Sequence, residues 1–379
     1  MNQNWNYVPF GDVFNWKGKS KIKSGDGTNT GKYKMFVCSD IEIKRYDEFL
    51  EHEESIVFGT GGKASCHYVN EPFAYSTDCI VAQSKSDEVY VKFYYYFLRK
   101  NNLGEIQKTF TGSGLQHTSK KKIESLQIPV CDLTEQQRIV TKIEDLFSKL
   151  DKGVEELNKI KEQLKIYRQA VLKKVFDDIT AKKTIKELSR MVTSGSRGWA
   201  KYYSDKGARF VRITDMTRDG IELKSNAMQF LDLPESVEGR RSKLQCNDIL
   251  VSITADLGSI AIVPSNIGEA YINQHIAVIR FTNFNQGKFM AWYLKSEHGQ
   301  KELLKNKRGA GKLGLGLDDI RNTHVPDVDD STANMILDEI EQKLSVCDKI
   351  EQTVNESLQK AESLRQSILK QAFEGKLIY

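Results

Sequence analysis

The chain has 379 residues, of which 39% are hydrophobic and 9% aromatic, a composition that excludes intrinsic disorder and predicts two to three domains. No apolar run reaches the roughly 18 residues of a membrane span and the first residues lack the order of a signal peptide, so we expect a soluble cytoplasmic protein. The net charge of +5 is compatible with nucleic-acid binding, and six cysteines without a CxxC pair disfavour a disulfide framework or a zinc site.

Two segments, 1–133 and 179–330, are predicted to fold as mixed α/β heads. Short β-type runs separated by Gly, Asn and Ser turns occur in both. They are KMFVCSDIEI, SIVFGT and DCIVAQ in the first head, and ARFVRITDM, DILVSI and HIAVIRF in the second. Each head also carries an aromatic-rich stretch, VYVKFYYYFLRK or KFMAWYLKSE, which predicts a helix whose aromatic side chains pack in the core.

A long amphipathic helix is predicted after each head, over 134–178 and 331–379. In both, apolar residues step by four and three positions, the 3.5-residue repeat of a coiled coil. The positions expected to pack are Ile143, Leu150, Leu157 and Leu164 in the first helix and Ile340, Cys347, Val354 and Ile368 in the second, with Ile160, Tyr167, Ile350 and Leu364 among the stripe residues between them. Thr134 and Gln137 fit a capping box, and about 45 residues give a helix of about 67 Å.

An internal repeat with an offset of 197 residues links the two halves of the chain. RQAVLKKVF (168–176) returns as RQSILKQAF (365–373), and Gly112 returns as Gly309. Towards the front of each unit the offset drifts, so that part has diverged in length. Because each helix leaves its own head, the repeat predicts an antiparallel helix pair with one head at each end and a pseudo-twofold axis.

Enzyme-like patterns in the sequence are weak. Gly309, Gly311 and Gly314 form GxGxxG, but a helical stretch precedes them where a dinucleotide site needs a strand. Asp327, Glu341 and Lys343 loosely match the order of nuclease residues, yet the last two fall on the second long helix. Neither a GxxxxGK[ST] loop nor the Asn/Asp-Pro-Pro-aromatic motif of base methylation occurs. We therefore expect a non-catalytic chain without a metal site.

Several longer segments carry a family resemblance. IPVCDLTEQQRIVTKIEDLFSKLD (Ile128–Asp151) leads into the first long helix, and RQSILKQAFEGKL (Arg365–Leu377) closes the second. The heads contain GTGGKA (59–64), SGSRGWAKYY (194–203) and YINQHIAVI (271–279). In this order and over nearly the whole chain, the sequence resembles the specificity subunits of type I restriction-modification systems.

The resemblance implies an α+β fold, with two mixed α/β target-recognition domains separated by two long antiparallel coiled-coil helices. It implies that each head recognises one half of a split double-stranded DNA target, and that the helices fix the spacer and dock two modification subunits, which methylate adenine. It also implies restriction (translocase) subunits that use ATP and magnesium, while S-adenosylmethionine belongs to the modification subunits. Neither cofactor is expected on this chain, and two different heads predict an asymmetric target.

Polar residues beside the glycine-rich segments are the candidates for DNA contact. Lysine suits phosphate, whereas arginine, glutamine and histidine can read base edges. The candidates are Lys19, Lys21, Lys63, Gln116, His117 and Lys121 in the first head, and Arg197, Trp199, Lys201, Tyr202, Gln274, His275 and Lys312 in the second. The second head departs from the family pattern, because SITADLGS (252–259) stands where the first head has GTGG, and ANMI (333–336) replaces the EQQR of the first helix.

Two other functions are compatible with the sequence. A coiled-coil scaffold or interaction protein without a DNA role would account for the heptads. A recognition module that serves a methyltransferase outside a type I complex would account for both the heads and the helices. Exchange of the heads alone tests the first alternative, and the neighbouring coding sequences test the second.

Overall fold

The computed structural model describes residues 5–217, 219–224, 228–233, 242–305, 307 and 313–377. The chain divides into two compact units, Met1–Asn158 with Asn355–Tyr379 (unit 1) and Lys159–Val354 (unit 2). Each unit therefore combines one head with one half of each long helix. Among the residues described, no helix is both long enough and apolar enough to cross a membrane.

The head of unit 1 is built from short strands and three α-helices. Its strands are β1 (Asn6–Pro9), β2 (Phe14–Trp16), β3 (Tyr33–Phe36), β4 (Ile43–Tyr46), β5 (Ser55–Gly59), β6 (Cys66–Val69), β7 (Phe73–Tyr75), β8 (Cys79–Ser84) and β9 (Gln127–Val130). Its helices are α1 (Phe10–Val13), α2 (Val91–Gln107) and α3 (Lys120–Glu124). The sheets have the strand orders β2-β8-β5-β6, β4-β3-β7 and β1-β9.

The first long helix, α4 (Leu133–Asp177), leads into the head of unit 2. The strands of that head are β10 (Lys182–Thr184), β11 (Ser189–Ser194), β12 (Tyr203–Ser204), β13 (Ala208–Val211), β14 (Gln229–Leu231), β15 (Ile249–Ser252), β16 (Ile260–Ile262), β17 (Ala270–Ile272), β18 (Ile276–Phe281) and β19 (His324–Pro326). The helices are α5 (Ile185–Leu188), α6 (Gly287–Lys295), α7 (Glu297–Leu304), α8 (Leu317–Arg321) and the second long helix, α9 (Asp330–Phe373). The sheet orders are β11-β18-β15-β16, β12-β14-β13-β17 and β10-β19.

Strand pairing in the two heads shows the repeat directly. Ile56 of β5 lies opposite Ala82 of β8, and Ile249 of β15 lies opposite Ile279 of β18. Likewise, β3 runs parallel to β7 and β13 runs parallel to β17. The offset between equivalent residues is 175 at β3 and β13, 193 at β5 and β15, and 197 at β7 and β17. Extra residues in the front part of the second head explain the drift, and the expected pair of repeated α/β heads is confirmed.

The core of unit 1 joins its head to both long helices. Phe93 and Phe97 of α2 belong to one buried cluster with Ile143 of α4 and Phe373 of α9. The ring centroids of Phe97 and Phe373 are 5.3 Å apart. Trp5 packs edge-on against the same Phe373 ring at 6.4 Å. The first and last segments of the chain therefore share one core.

The core of unit 2 uses the opposite halves of the two helices. Phe176, near the end of α4, packs against Phe289 and Tyr293 of α6, with ring centroids 5.6 and 5.3 Å apart. Ile340 and Leu344, in the first half of α9, belong to the same buried cluster. The aromatic residues of α2 and α6 are thus core residues, as their spacing predicts.

The buried stripe of each long helix has two positions in every seven-residue repeat. One position matches the prediction, and the other lies one residue later in the chain. Ile143, Leu164, Ile340, Cys347, Val354 and Ile368 are buried, and Leu150 and Leu157 are half-buried. The second position is filled by Phe147, Val154, Lys161, Arg168 and Val175 in α4 and by Leu344, Glu351, Leu358, Arg365 and Ala372 in α9, all buried or half-buried. Of these, Leu344 belongs to the predicted stripe. Ile160, Tyr167, Ile350 and Leu364, expected there, are instead 36 to 50% exposed. Apolar spacing misplaces this position because charged residues occupy part of it.

Two equivalent ion pairs fix the helix register. In unit 1, Arg365 pairs with Asp151, and its guanidinium carbon lies 4.4 Å from the centroid of the Phe147 ring. In unit 2, Arg168 pairs with Asp348 at 2.7 Å. Arg365 and Asp348 lie 197 residues after Arg168 and Asp151, so one contact is the copy of the other. In unit 1, Ile143 of α4 and Phe373 of α9 share a buried cluster. Asp151, further along α4, pairs with Arg365, which lies earlier on α9. The two helices therefore pack antiparallel, as predicted.

Aspartates cap both long helices. The backbone N–H of Glu135 donates to Asp132 Oδ1 at 2.8 Å, and the N–H of Thr332 donates to Asp329 Oδ1 at 2.7 Å. The hydrogen bond from the backbone N–H of Thr332 lowers the pKa of the Asp329 carboxyl. The cap of α4 is therefore Asp132 and not the predicted Thr134, because the aspartate side chain accepts from a backbone N–H that has no partner within the first turn of the helix.

Ile368→Asp is expected to lower the free energy of unfolding by about 3 to 5 kcal/mol, because it places a carboxylate in the buried cluster of unit 1. Leu364→Asp, one turn earlier on α9 and 50% exposed, is the matched control and should cost less than about 1 kcal/mol. Chemical denaturation of the full chain measures both values. Equal effects of the two substitutions would contradict the register given above.

Candidate DNA interface

The head of unit 1 gathers several connections at one end of its main sheet. Segment 17–24 follows β2, loop 60–65 follows β5, and turn 76–78 precedes β8. Because β2 and β5 both run antiparallel to β8, these connections lie at the same end of the sheet. Loop 111–117 joins them, since the N–H of Thr118 donates to the carbonyl of Thr60 at 2.9 Å. We call this set the first loop cluster.

Backbone hydrogen bonds hold the first loop cluster together. The N–H of Gly62 donates to the carbonyl of Gln116 at 2.8 Å. The thiol of Cys38 donates to the carbonyl of Gly61 at 2.8 Å, on the other side of the same loop. A Cβ at Gly61 would lie 3.2 Å from the His117 ring. Gly61 and Gly62 therefore lie where Cys38 and loop 111–117 contact loop 60–65.

The sequence-predicted residues of the first head are all exposed. Lys19 and Lys21 lie on segment 17–24, Lys63 on loop 60–65, and Gln116 and His117 on loop 111–117. Lys121 lies on α3, beside Lys122, whose ammonium donates to Thr111 Oγ1 at 2.5 Å. Five of the six thus lie on the first loop cluster itself, and Lys121 lies on a helix that is bonded to it.

His67 lies behind this cluster and supports it. Its Nε2 lies 2.7 Å from the carbonyl oxygen of Ser39, and burial lowers the pKa of the imidazole. A guanidinium nitrogen of Arg99 donates to Asp40 Oδ1 at 2.6 Å, next to Ser39. These two contacts fix the backbone beside Cys38, which in turn contacts Gly61.

The head of unit 2 has a second loop cluster at the equivalent end of its sheet. It consists of segment 195–202 after β11, loop 253–259 after β15, and turn 273–275 before β18. The N–H of Leu315 donates to the carbonyl of Ile253 at 3.0 Å, which repeats the contact of Thr118 with Thr60 in the first cluster. The two clusters therefore share a backbone plan.

An open cleft in the second loop cluster is lined by Arg197, Thr254, Gln274 and His275, together with residues 194–196. Thr254 Oγ1 lies 2.8 Å from His275 Nδ1, and the amide nitrogen of Gln274 lies 2.8 Å from His275 Nε2. Because an amide nitrogen only donates, His275 Nε2 accepts from Gln274. The cleft offers hydrogen-bonding groups of the kind that read base edges.

Gly195 seats segment 195–202 on turn 273–275. Its N–H donates to the carbonyl of Asn273 at 3.2 Å, and a Cβ at this position would overlap the carbonyl oxygen of Ile272. Arg197 and Lys201 follow on the same segment and are exposed. Only glycine fits this contact, which fixes where the Arg197 side chain begins.

Trp199 has a packing role. The sequence predicts a DNA contact for this ring, but only 4% of the residue is exposed, and the ring centroid lies 5.5 Å from that of Phe210 and 5.6 Å from that of Tyr271. Tyr202 beside it is half-buried, with Lys201 Nζ 4.8 Å from its ring centroid. Lys312, the remaining candidate, lies outside the described residues.

The enzyme-like residues do not form a common site. Asp327 pairs with Lys183, Glu341 with Lys288, and Lys343 with Glu339, in three separate ion pairs. Gly309 and Gly311 of the GxGxxG pattern lie outside the described residues. Elsewhere in the described ranges, no group of three or more His, Cys, Asp or Glu side chains could hold a metal ion.

Comparison with known proteins matches this architecture. A family model described as the type I restriction modification DNA specificity domain matches residues 2–165 and 211–360. The chain belongs to this family of specificity subunits. It is 24% identical over 360 residues to the specificity subunit of the type I restriction enzyme EcoBI of Escherichia coli, covering 86% of this chain and 74% of the relative. The EcoKI specificity subunit of E. coli strain K12 is 25% identical over 302 residues, 72% of this chain and 62% of the relative.

A solved structure from work on complex assembly and conformational transition of the type I R-M system has the same fold as this specificity subunit. The TM-score is 0.73 with 16% sequence identity, and the match covers 99% of both chains. At this identity the likeness concerns the fold alone. The fold of two α/β heads and two long helices is thus shared with a chain solved in work on a type I R-M system.

Three residues behind the loops of this specificity subunit were not predicted. Cys38 contacts Gly61, Thr254 contacts His275, and Gln107 contacts the backbone of Ala64, which lies 43 residues away in sequence. Cys38 and Gln107 belong to no motif or basic cluster, and Thr254 lies in SITADLGS (252–259), which lacks the glycine pattern of the first head. Contacts between distant loops leave no periodic signal, so the sequence alone does not reveal them.

Gly195→Ala is expected to lower the free energy of unfolding by about 2 to 3 kcal/mol, because the added methyl meets the carbonyl of Ile272 in the backbone. Gly314→Ala in the same unit is the control, since its Cβ would have only an ordinary contact at 3.5 Å. Thermal melting of the purified chain compares the two variants. A Gly195→Ala chain as stable as Gly314→Ala would show that segment 195–202 is seated differently.

Proposed function

We propose that this chain is the non-catalytic DNA-recognition subunit of a type I restriction-modification complex, and that each head reads one half of a bipartite, asymmetric target. The observation that carries the proposal is the pair of loop clusters, which share a backbone plan but present different side chains. Membership of the specificity family supports it. A separate catalytic centre is not required, because methylation and cleavage would belong to other subunits.

The side chains of the two clusters support different half-sites. The first cluster exposes Lys63, Gln116 and His117, and the second carries Arg197 beside the Gln274–His275 pair. Exposed lysines would neutralise phosphates and position the duplex, while the glutamine, histidine and arginine side chains would contact base edges. Because these sets differ in donors and acceptors, the two half-sites would differ in sequence.

We propose two modification (methyltransferase) subunits as partners, with restriction (translocase) subunits completing the complex. Each unit has an open groove beside its Arg–Asp pair, which supports two copies of one partner. The grooves are lined by Tyr95, Phe147, Asp151 and Arg365 in unit 1 and by Trp292, Leu344, Asp348 and Arg168 in unit 2, at an offset of 197 residues in each case. S-adenosylmethionine would then bind to the modification subunits, and ATP with magnesium to the restriction subunits.

Co-expression with a type I modification subunit that methylates adenine tests the proposal. Single-molecule sequencing of the host genome is expected to show methylated adenines within one bipartite, asymmetric motif. Exchange of the unit 2 head alone should change one half of that motif and leave the other half unchanged. Undirected or absent methylation in spite of a stable complex would favour a coiled-coil scaffold without a role in DNA recognition.

Arg197→Ala is expected to weaken binding of the target by about 1 to 3 kcal/mol and to relax the sequence requirement at one position, since an arginine reads guanine through two acceptors. Lys201→Ala, on the same exposed segment, is the matched control. Because a lysine contacts phosphate and not bases, loss of Lys201 should weaken binding to all sequences equally and reduce the salt dependence of binding. Titration of duplex variants at two salt concentrations separates the two results. A uniform loss for Arg197→Ala would reassign that residue to a phosphate.

A further inference from the structure

Loop 111–117 presents Gln116 from a fixed backbone. The carbonyl of Gln116 accepts from the N–H of Gly62 at 2.8 Å. The N–H and the carbonyl of Thr111 both bond to His117 at 2.9 Å, which closes the loop. The backbone of Gln116 is therefore held on both sides, while its side chain is exposed on the first loop cluster.

A relay of two hydrogen bonds determines which end of the Gln116 amide faces outward. The backbone N–H of Ala64 donates to Gln107 Oε1 at 2.8 Å. Because a backbone N–H only donates, the oxygen of Gln107 must occupy that side, and its amide nitrogen faces Gln116. That nitrogen donates to Gln116 Oε1 at 3.3 Å. The oxygen of Gln116 is thus engaged, and its NH2 group has no partner among the described residues.

We propose that Gln107 is a positioning residue for sequence recognition, which makes Gln116 a hydrogen-bond donor to one base of the first half-site. The inference rests on the proposed DNA-recognition function. In the major groove, guanine offers two acceptors, O6 and N7, whereas adenine offers N7 beside the donor N6. A glutamine reads adenine with its oxygen facing N6 and its nitrogen facing N7, whereas here the oxygen of Gln116 is turned towards Gln107 and the NH2 group faces outward. The outward NH2 group meets two acceptors on guanine but a donor on adenine, so we expect Gln116 to prefer guanine over adenine.

Gln107→Glu is expected to reverse this preference at the same position. A carboxylate of nearly the same shape still accepts from Ala64, but its second oxygen cannot donate to Gln116. The Gln116 amide would turn over, donate to the introduced carboxylate and direct its oxygen outward. A base with an exocyclic amino donor, cytosine or adenine, should then be preferred over guanine by about tenfold or more, the discrimination expected of a good base contact.

The experiment uses the full chain co-purified with its modification subunits, and a pool of duplexes in which each position of the methylated motif is randomised in turn. Gln116→Ala should remove the preference at one position, and Gln107→Glu should change the preferred base at that position and at no other. Gln127→Glu, on β9, introduces the same charge at an exposed glutamine outside the cluster and should leave every preference unchanged. The preferred base is compared rather than the affinity, because a new carboxylate near DNA weakens binding to all sequences.

Two results would overturn the inference. If Gln116→Ala removes a guanine preference that Gln107→Glu preserves, Gln116 reads the base without help from Gln107. If Gln116→Ala changes no position, the side chain does not read a base. Melting of each complex shows whether the variant is folded. If Gln107→Glu does not fold, Gln116→Ala still tests whether the exposed Gln116 side chain reads a base. Selection of no sequence at all by the unmodified chain would instead contradict the proposed function.

Discussion

The central constraint on this structure is that neither head has a closed core without helix segments from distant parts of the chain. Phe373, the last residue of α9, is 2% exposed and packs in the same core as Trp5. Burial of one such side chain is worth about 1.5 to 3 kcal/mol, more than a partly exposed pair such as Arg365 with Asp151. Apolar burial therefore stabilises each unit, and the ion pairs select the register in which that burial occurs.

The two heads share their strand framework, whereas the loops at the end of that framework differ. The start of β5 is held by Gln83, which donates to Ser55. The equivalent place in unit 2 is held by an ion pair of half-buried Arg280 with buried Asp248 at 2.5 Å. One contact is neutral and the other is charged, yet both bind the same two strands. The strand framework thus tolerates a complete change of chemistry, which leaves the loops at its end free to diverge.

Residue spacing predicts the strands, the aromatic core helices and one position of the helix stripe, because each depends on burial with a fixed period. It misplaces the other position, where Arg168 and Arg365 lie half-buried and break the apolar pattern. Trp199 illustrates the limit for the site, since alternating basic and aromatic residues look alike whether the ring is exposed or packed against Phe210. Lysines on loops were found by composition, but no local pattern connects Gln107 to Ala64.

Residue identity alone does not define what a recognition loop reads. In the first loop cluster, Gln107 engages the oxygen of Gln116 and leaves its amide nitrogen free. In the second, His275 accepts from the amide nitrogen of Gln274, whose oxygen has no partner among the described residues. Two glutamines therefore offer opposite groups, because their neighbours hold the amides in opposite directions. A target half-site can then change through a substitution that never touches DNA, provided that it reverses the hydrogen bonding behind the reading side chain.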